Sequence, residues 1–249
     1  MFSTVYQLLF DSVKAGNKLL AVLIDPDNVS QLPNQIAQCN AHSVDLIFLG
    51  GSLIHEGDIG KTIAYIKSHS KIPVVLFPGD TFQIHADADA LLLLSLISGR
   101  NADLLIGKHV IAAPYLKKSG LETIATGYML VDGGRPTTAS YISNSLPIPN
   151  DKPEIAAGTA MAGEMLGLKL IYLDSGSGAL MAVSPAMIKK VKENTTLPLI
   201  VGGGIKTAQM AMEAWHAGAD IVVVGNAIEK NPAFIQELTQ YKINTPLEV

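Results

Sequence analysis

One cysteine, Cys39, stands in 249 residues, so no intrachain disulfide can form and a secreted, disulfide-stapled class gains no support. Charge is also scarce. Asp, Glu, Lys and Arg make up 16% of the chain and sum to −4, which leaves no basic footprint for a nucleic-acid partner. The longest apolar run, from Ala90 to Leu94 and past Ser95 to Ile97, falls far short of the roughly 20 residues of a membrane helix. Residues 1–20 lack the basic start and small-residue cleavage site of a secretory signal. A cytoplasmic protein without an integral membrane segment is expected. Nor does any strand-like run lead into GxGxxG or GxxxxGKS/T, the patterns that open nucleotide-binding helices. The histidines (His42, His55, His69, His85, His109, His216) show no paired metal spacing and read as solvent-facing or structural. No Ser–His–Asp arrangement or credible cysteine nucleophile is present, which argues against covalent hydrolysis.

What the chain does have is apolar bulk. Hydrophobic residues reach 48% and mean hydropathy is +0.31, which fits a large buried core, an oligomer interface or a site for an apolar substrate. Short apolar runs recur, each ending in Gly, Asp, Ser or Asn: residues 19–25, 44–50, 73–79, 90–98, 123–132, 169–176, 198–204 and 219–226. Near-continuous apolar strands mark a parallel sheet covered on both faces. Helical patterns lie between most of them. Ile59, Ile63 and Ile66 share one face, as do Ala208, Met212 and Trp215, the latter stopped by Gly218. Ser184–Pro185 and Asn231–Pro232 both read as helix starts. Two connections differ: 80–89 is short for a crossover helix, and 133–168 is long and irregular before a helix-like stretch at 154–166. Eight strand signals in a chain near the usual length of about 250 residues predict a single TIM (β/α)₈ barrel over 1–249 in preference to a doubly wound sheet.

In such barrels chemistry collects at the strand C-terminal ends, with phosphate often bound after strands 7 and 8. Strand 7 here ends in Gly202–Gly203–Gly204 and strand 8 in Gly225–Asn226, which would let backbone N–H groups approach an anion. Singly, such glycines serve tight turns equally well. Strand 6 ends in YLDSGSG, Tyr172 through Gly178. Alternation puts Tyr172 and Asp174 on one face and Leu173 on the other, and Ser175, Gly176, Ser177 and Gly178 come next as a second candidate nest. Asp25, after strand 1, and Ser52, after strand 2, form a modest oxygen set suited to Mg²⁺ and not to zinc. A turn-forming Asp25 is the simpler alternative. Arg135 could clamp a phosphate or lie at the surface.

Taken in order, LIDPD at 23–27, GGS at 50–52, FPG at 77–79, YLDSGSG at 172–178, VGGGI at 201–205 and VGN at 224–226 resemble the geranylgeranylglyceryl phosphate synthase family, with its related bacterial heptaprenylglyceryl phosphate synthases. The resemblance spans nearly the whole chain. It implies a TIM barrel with a modified third helix, which would account for 80–89. It also implies transfer of a polyprenyl group, geranylgeranyl or longer, from its diphosphate to the 3-hydroxyl of sn-glycerol 1-phosphate, with Mg²⁺, in a homo-oligomer (dimer or hexamer). Carried over by position, Asp25 and Ser52 look like the metal ligands. Tyr172, Leu173, Asp174, Ser175, Gly176, Ser177, Gly178, Gly203, Gly204, Gly225 and Asn226 look like the glycerol-phosphate site, with Asp174 as the base. Family members often carry Glu at the position of Asp174, so the carboxylate here is one methylene shorter. Two other readings stay open: another phosphate-binding barrel (FMN-dependent or of amino-acid biosynthesis), or a phosphoglycerol-binding protein without catalysis.

Overall fold

The computed structural model describes residues 4–243; the ends of the expected 1–249 unit, 1–3 and 244–249, lie outside the described residues. Helix α1 (Val5–Lys14) precedes β1 (Leu19–Ile24), α2 (Leu32–Ala41), β2 (Leu46–Leu49), α3 (Ile59–His69) and β3 (Val74–Leu76). Then come β4 (Ala90–Leu96), α4 (Lys108–Ser119), β5 (Glu122–Leu130), α5 (Thr138–Ser143), α6 (Pro153–Met165) and β6 (Leu170–Asp174). The chain finishes with α7 (Pro185–Lys192), β7 (Leu199–Gly202), α8 (Ala208–His216), β8 (Ile221–Val224), α9 (Asn226–Lys230) and α10 (Phe234–Ile243). The eight strands pair in chain order, all parallel, and β8 returns to β1 to close a TIM barrel.

Closure explains the unbroken apolar strands. In β1, Leu19 and Ala21 point into the barrel with Phe48, Val75, Leu92 and Val223, while Leu20, Val22 and Ile24 pack outward beneath the helices. Ile63 and Ile66 of α3, and Ala208 and Trp215 of α8, cover that outer layer as their spacing requires. At the N-terminal end, Val5 and Leu9 of α1 plug the barrel, and the Glu122 carboxylate accepts the Val5 and Tyr6 N–H groups at 2.7 and 2.9 Å. Asp45, Asp89 and Asp220 each accept a strand N–H at that same end and pair with Lys242, Lys67 and Lys192. These carboxylates have structural work.

Ser184 caps α7 as expected, its Oγ accepting the Met187 N–H. Asn231–Pro232 does not start a helix in that way. Asn231 instead closes α9, and α10 begins at Phe234, whose N–H donates to the Asn231 carbonyl. Between β3 and β4 there is only a 3₁₀ turn, Thr81–Gln83, so no helix covers the outer face there. Leu91 and Leu93, on the side of β4 that a helix would otherwise cover, line a cavity instead.

Candidate active site

The cavity measures about 870 Å³ and opens at the C-terminal ends of the strands. One arm is apolar. Ile84, Leu91, Leu93, Leu104, Ala112 and Ile142 wall the gap left by the missing helix. The other arm is built from glycine turns after β6, β7 and β8.

These three turns are fastened together. Ser177 Oγ donates to Asn226 Oδ1 at 3.0 Å, spanning β6 to β8, and Ser175 N–H donates to the Gly202 carbonyl at 3.2 Å. Gly203 has φ +76°, and a Cβ there would sit 2.6 Å from Gly176 N and 2.7 Å from Ser175 N. Only glycine lets β7 pass this close to the β6 turn. Ser175 Oγ is buried and has no hydrogen-bond partner among the described residues. The Arg135 guanidinium overhangs Gly178, where a Cβ would lie 2.6 Å from Nη2. It therefore stands at the rim of this anion-friendly pocket.

Asp174 lies between the arms. Its Oδ1 accepts the Gly176 N–H at 2.7 Å, and its Oδ2 accepts the Tyr128 hydroxyl at 2.6 Å. Burial raises its pKa, and the hydrogen bonds from Tyr128 and Gly176 only partly offset that. Tyr128, on β5, is the register partner of Tyr172, and both rings pack on Phe77. Burial also drives both phenols well above their usual pKa, so they remain protonated donors. Leu173 points the other way, into the sheet–helix layer, and offers the site only its backbone.

Across the mouth, Asp27 accepts the N–H groups of His55, Glu56 and Gly57 and so ties the β1 loop to the β2 loop. Asp25 Oδ1 takes the Asp27 N–H at 3.0 Å. No basic side chain forms a salt bridge with Asp25 among the described residues. Burial raises its pKa; the hydrogen bond from the Asp27 N–H offsets part of the rise, and the Asp27 charge restores a smaller part of it. Glu229, raised mainly by burial, also feels the Asp25 charge. An uncompensated half-buried carboxylate, with Ser52 on the same wall, fits a hard divalent cation that keeps waters and borrows phosphate oxygens.

The chain matches known proteins along nearly its whole length. A model described as the PcrB family matches residues 15–242. A protein of Chitinophaga pinensis named geranylgeranylglyceryl phosphate synthase is 52% identical over 240 residues, covering 96% of this chain and 95% of that one. Its namesake in Spirosoma linguale is 53% identical over 233 residues, covering 93% and 94%. The chain belongs to the PcrB family. A crystal structure of (S)-3-O-geranylgeranylglyceryl phosphate synthase from Thermoplasma acidophilum, in complex with sn-glycerol-1-phosphate, superimposes with a TM-score of 0.91 at 27% identity, covering 98% of this chain and all of that one. The motif resemblance is thereby upheld, and so is the TIM barrel.

Within this PcrB family barrel, Asp25, Ser52, Tyr172, Asp174, Ser177, Gly178, Gly203, Gly204, Gly225 and Asn226 all reach the one cavity. Ser175 and Gly176 stand just behind its wall. Sequence reasoning missed Tyr128, Asp80, Lys108 and His109. A tyrosine near the C-terminal end of β5, where chemistry collects in such barrels, was the available signal for the first. His109, read as solvent-facing or structural, does bond the Leu94 carbonyl through Nε2 at 2.9 Å, yet it also lines the cavity, and its Nδ1 is buried without a partner among the described residues.

Proposed function

We propose that this protein transfers a polyprenyl group from its diphosphate to the 3-hydroxyl of sn-glycerol 1-phosphate, releasing diphosphate and forming an ether-lipid precursor. One observation carries the reading: a polar nest of glycine turns and an apolar arm meet at a buried carboxylate. A glycerol phosphate held by the turns after β6, β7 and β8, with Arg135 at the rim, would present its hydroxyl to Asp174. The allylic carbon of the second substrate would arrive from the leucine-lined arm. The C–O bond to diphosphate breaks with its electron pair leaving on the diphosphate, the glycerol oxygen bonds to the allylic carbon, and Asp174 takes the hydroxyl proton. Tyr128 holds Asp174 in position for this. Asp25 and Ser52 would hold Mg²⁺, which when bound neutralises charge on the departing diphosphate. The enzyme works as a homo-oligomer in this reading.

The test is to incubate the protein with labelled sn-glycerol 1-phosphate, Mg²⁺ and prenyl diphosphates of several lengths, then extract and size the lipid product. Label in the organic phase, lost in excess EDTA and in Asp25→Asn, is expected. Binding of glycerol phosphate with no ether product at any prenyl length would overturn the reading and leave a binding protein.

A further inference from the structure

On the wall of the cavity next to Ser52 stands an ion pair that the mechanism above does not use. Asp80, which caps the 3₁₀ turn after β3, binds the Lys108 ammonium through Oδ2. Burial works to raise the Asp80 pKa, but the hydrogen bonds from Lys108, the Phe82 N–H and Thr81 outweigh it and keep the carboxyl low. Both side chains are about one-third exposed and line the cavity. Their position is fixed by backbone packing. A Cβ on Gly79 would lie 2.5 Å from the Gly51 carbonyl and 2.6 Å from that of Ser52, so Asp80 comes directly after a segment pressed against the proposed metal loop. The Gln83 amide locks that arrangement, donating to the Gly51 carbonyl at 2.8 Å and accepting the Gly79 N–H at 3.0 Å.

Lys108 is aimed there by an irregularity. The five residues Asp103–Gly107 form a π-helical turn, and α4 begins at the next residue. Such a turn inserts an extra residue into the helical ladder, rotates the helix beyond it and is frequent at functional sites. Here it delivers Lys108 and His109 to the cavity wall. The other basic side chains on that wall, Arg135, Lys206 and Lys230, come from loops and helices after β5, β7 and β8. Arg135 overhangs Gly178 and Lys206 donates to the Leu180 carbonyl, both on the glycerol-phosphate side. Lys230 adjoins Glu229, which feels the Asp25 charge, so Lys108 is the lysine that the β3–β4 side of the wall supplies, beside Ser52 and the start of the apolar arm.

We propose that Lys108 binds the diphosphate of the prenyl substrate, and that Asp80 holds its ammonium in place until the diphosphate displaces the carboxylate. The inference rests on the prenyltransferase reading. A departing diphosphate carries more negative charge than one divalent ion cancels, and a flexible ammonium is a compact point charge suited to the remainder. Lys108 supplies only hydrogen bonds and charge. Its pairing with Asp80 before substrate arrives keeps an unpaired cation out of an apolar arm, where it would be costly.

The two halves of the pair make opposite predictions. Binding of inorganic pyrophosphate, titrated in Mg²⁺ and again in EDTA, is measured by calorimetry on Lys108→Gln, Asp80→Asn and wild type. Lys108→Gln should weaken it by roughly tenfold to a hundredfold, the scale of a lost charge-assisted hydrogen bond. Asp80→Asn should strengthen it several-fold, because the competitor has gone. The KM for prenyl diphosphate should move with these affinities, and sn-glycerol 1-phosphate affinity should stay constant. If the pair were merely a latch between the β3 turn and α4, both variants would lower the melting temperature and shift pyrophosphate binding the same way; that result, or wild-type affinity in Lys108→Gln, overturns the inference while wild-type turnover keeps the prenyltransferase reading intact. Wild-type protein that neither binds pyrophosphate nor forms the ether overturns both.

Discussion

At the scale of single residues, Asp174 is where function and stability pull apart. Burial raises its pKa, so in the interval between its unfolded and folded values the folded chain holds the extra proton. Stability from this group is therefore greatest at low pH and declines as pH rises through the folded pKa, the reverse of an ordinary paired carboxylate. Asp174→Asn keeps the shape and removes the buried charge. Its amide oxygen can accept from Gly176, and its NH₂ can donate to the Tyr128 oxygen once that hydroxyl turns. The variant should melt at a higher temperature than wild type at neutral pH, with the difference closing in acid, while kcat falls by about 10²–10⁴-fold. Tyr128→Phe gives the complementary result. It removes the hydrogen bond that most lowers the Asp174 pKa, so the acid limb of the pH–rate profile should move to higher pH with the alkaline plateau retained. A loss of rate that is the same at every pH would show that Tyr128 does not act through Asp174.

Elements position these residues, and the glycine turns differ in how strictly they do so. At Gly203 a Cβ would fall 2.5 Å from Asp174 Oδ1 as well as onto the Ser175 and Gly176 amides. Gly203→Ala should thus raise the KM for glycerol phosphate and lower kcat together, because it disturbs nest and carboxylate at once. At Gly225 the nearest atoms to a Cβ belong to Leu23, at 3.4–3.5 Å, an ordinary contact. Gly225→Ala should leave kcat close to wild type and raise only the KM for glycerol phosphate, which the turn after β8 would hold, and steady-state kinetics on the pair checks the contrast. The turns were legible in the sequence because each is a contiguous glycine motif whose backbone demand is local. Strand number and barrel closure were legible for a similar reason: a strand buried on both faces has to be apolar throughout. Tyr128 was not legible, since its bond to Asp174 spans 46 residues and exists only once β5 and β6 pair in register. Lys108 was hidden by the π-turn, which breaks the 3.6-residue period on which any reading of helix faces depends. Asn231–Pro232 misled because the chain leaves β8 straight into α9, and the asparagine is spent on ending that helix.

Over the whole molecule, the apolar surplus in the composition is not all spent on the core. Ile106, Val110, Ile111 and Tyr115 are exposed along the π-turn and α4, while Ala112 and Leu116 of the same helix are buried. Asn101 Nδ2 donates to the Ser143 carbonyl at 3.1 Å and holds α5, with its exposed Tyr141 and Ile142, beside the start of this segment. Helix α4 also carries Pro114 in its interior, which forfeits a helical hydrogen bond and weakens it in isolation. A helix that is apolar toward solvent and internally weakened is stabilised when a second surface covers it. A second copy of the chain is the occupant that accords with the proposed homo-oligomer. Val110→Glu with Ile111→Glu would place two carboxylates where that contact must exclude water, a heavy desolvation cost in the assembly and almost none in the monomer. Light scattering at micromolar concentration should find wild type above the 26.3 kDa of one chain and the double variant at it, with the circular dichroism of the two superimposable. Wild type already at 26.3 kDa would remove the oligomer, and a double variant that still assembles would move the contact to another face of the barrel.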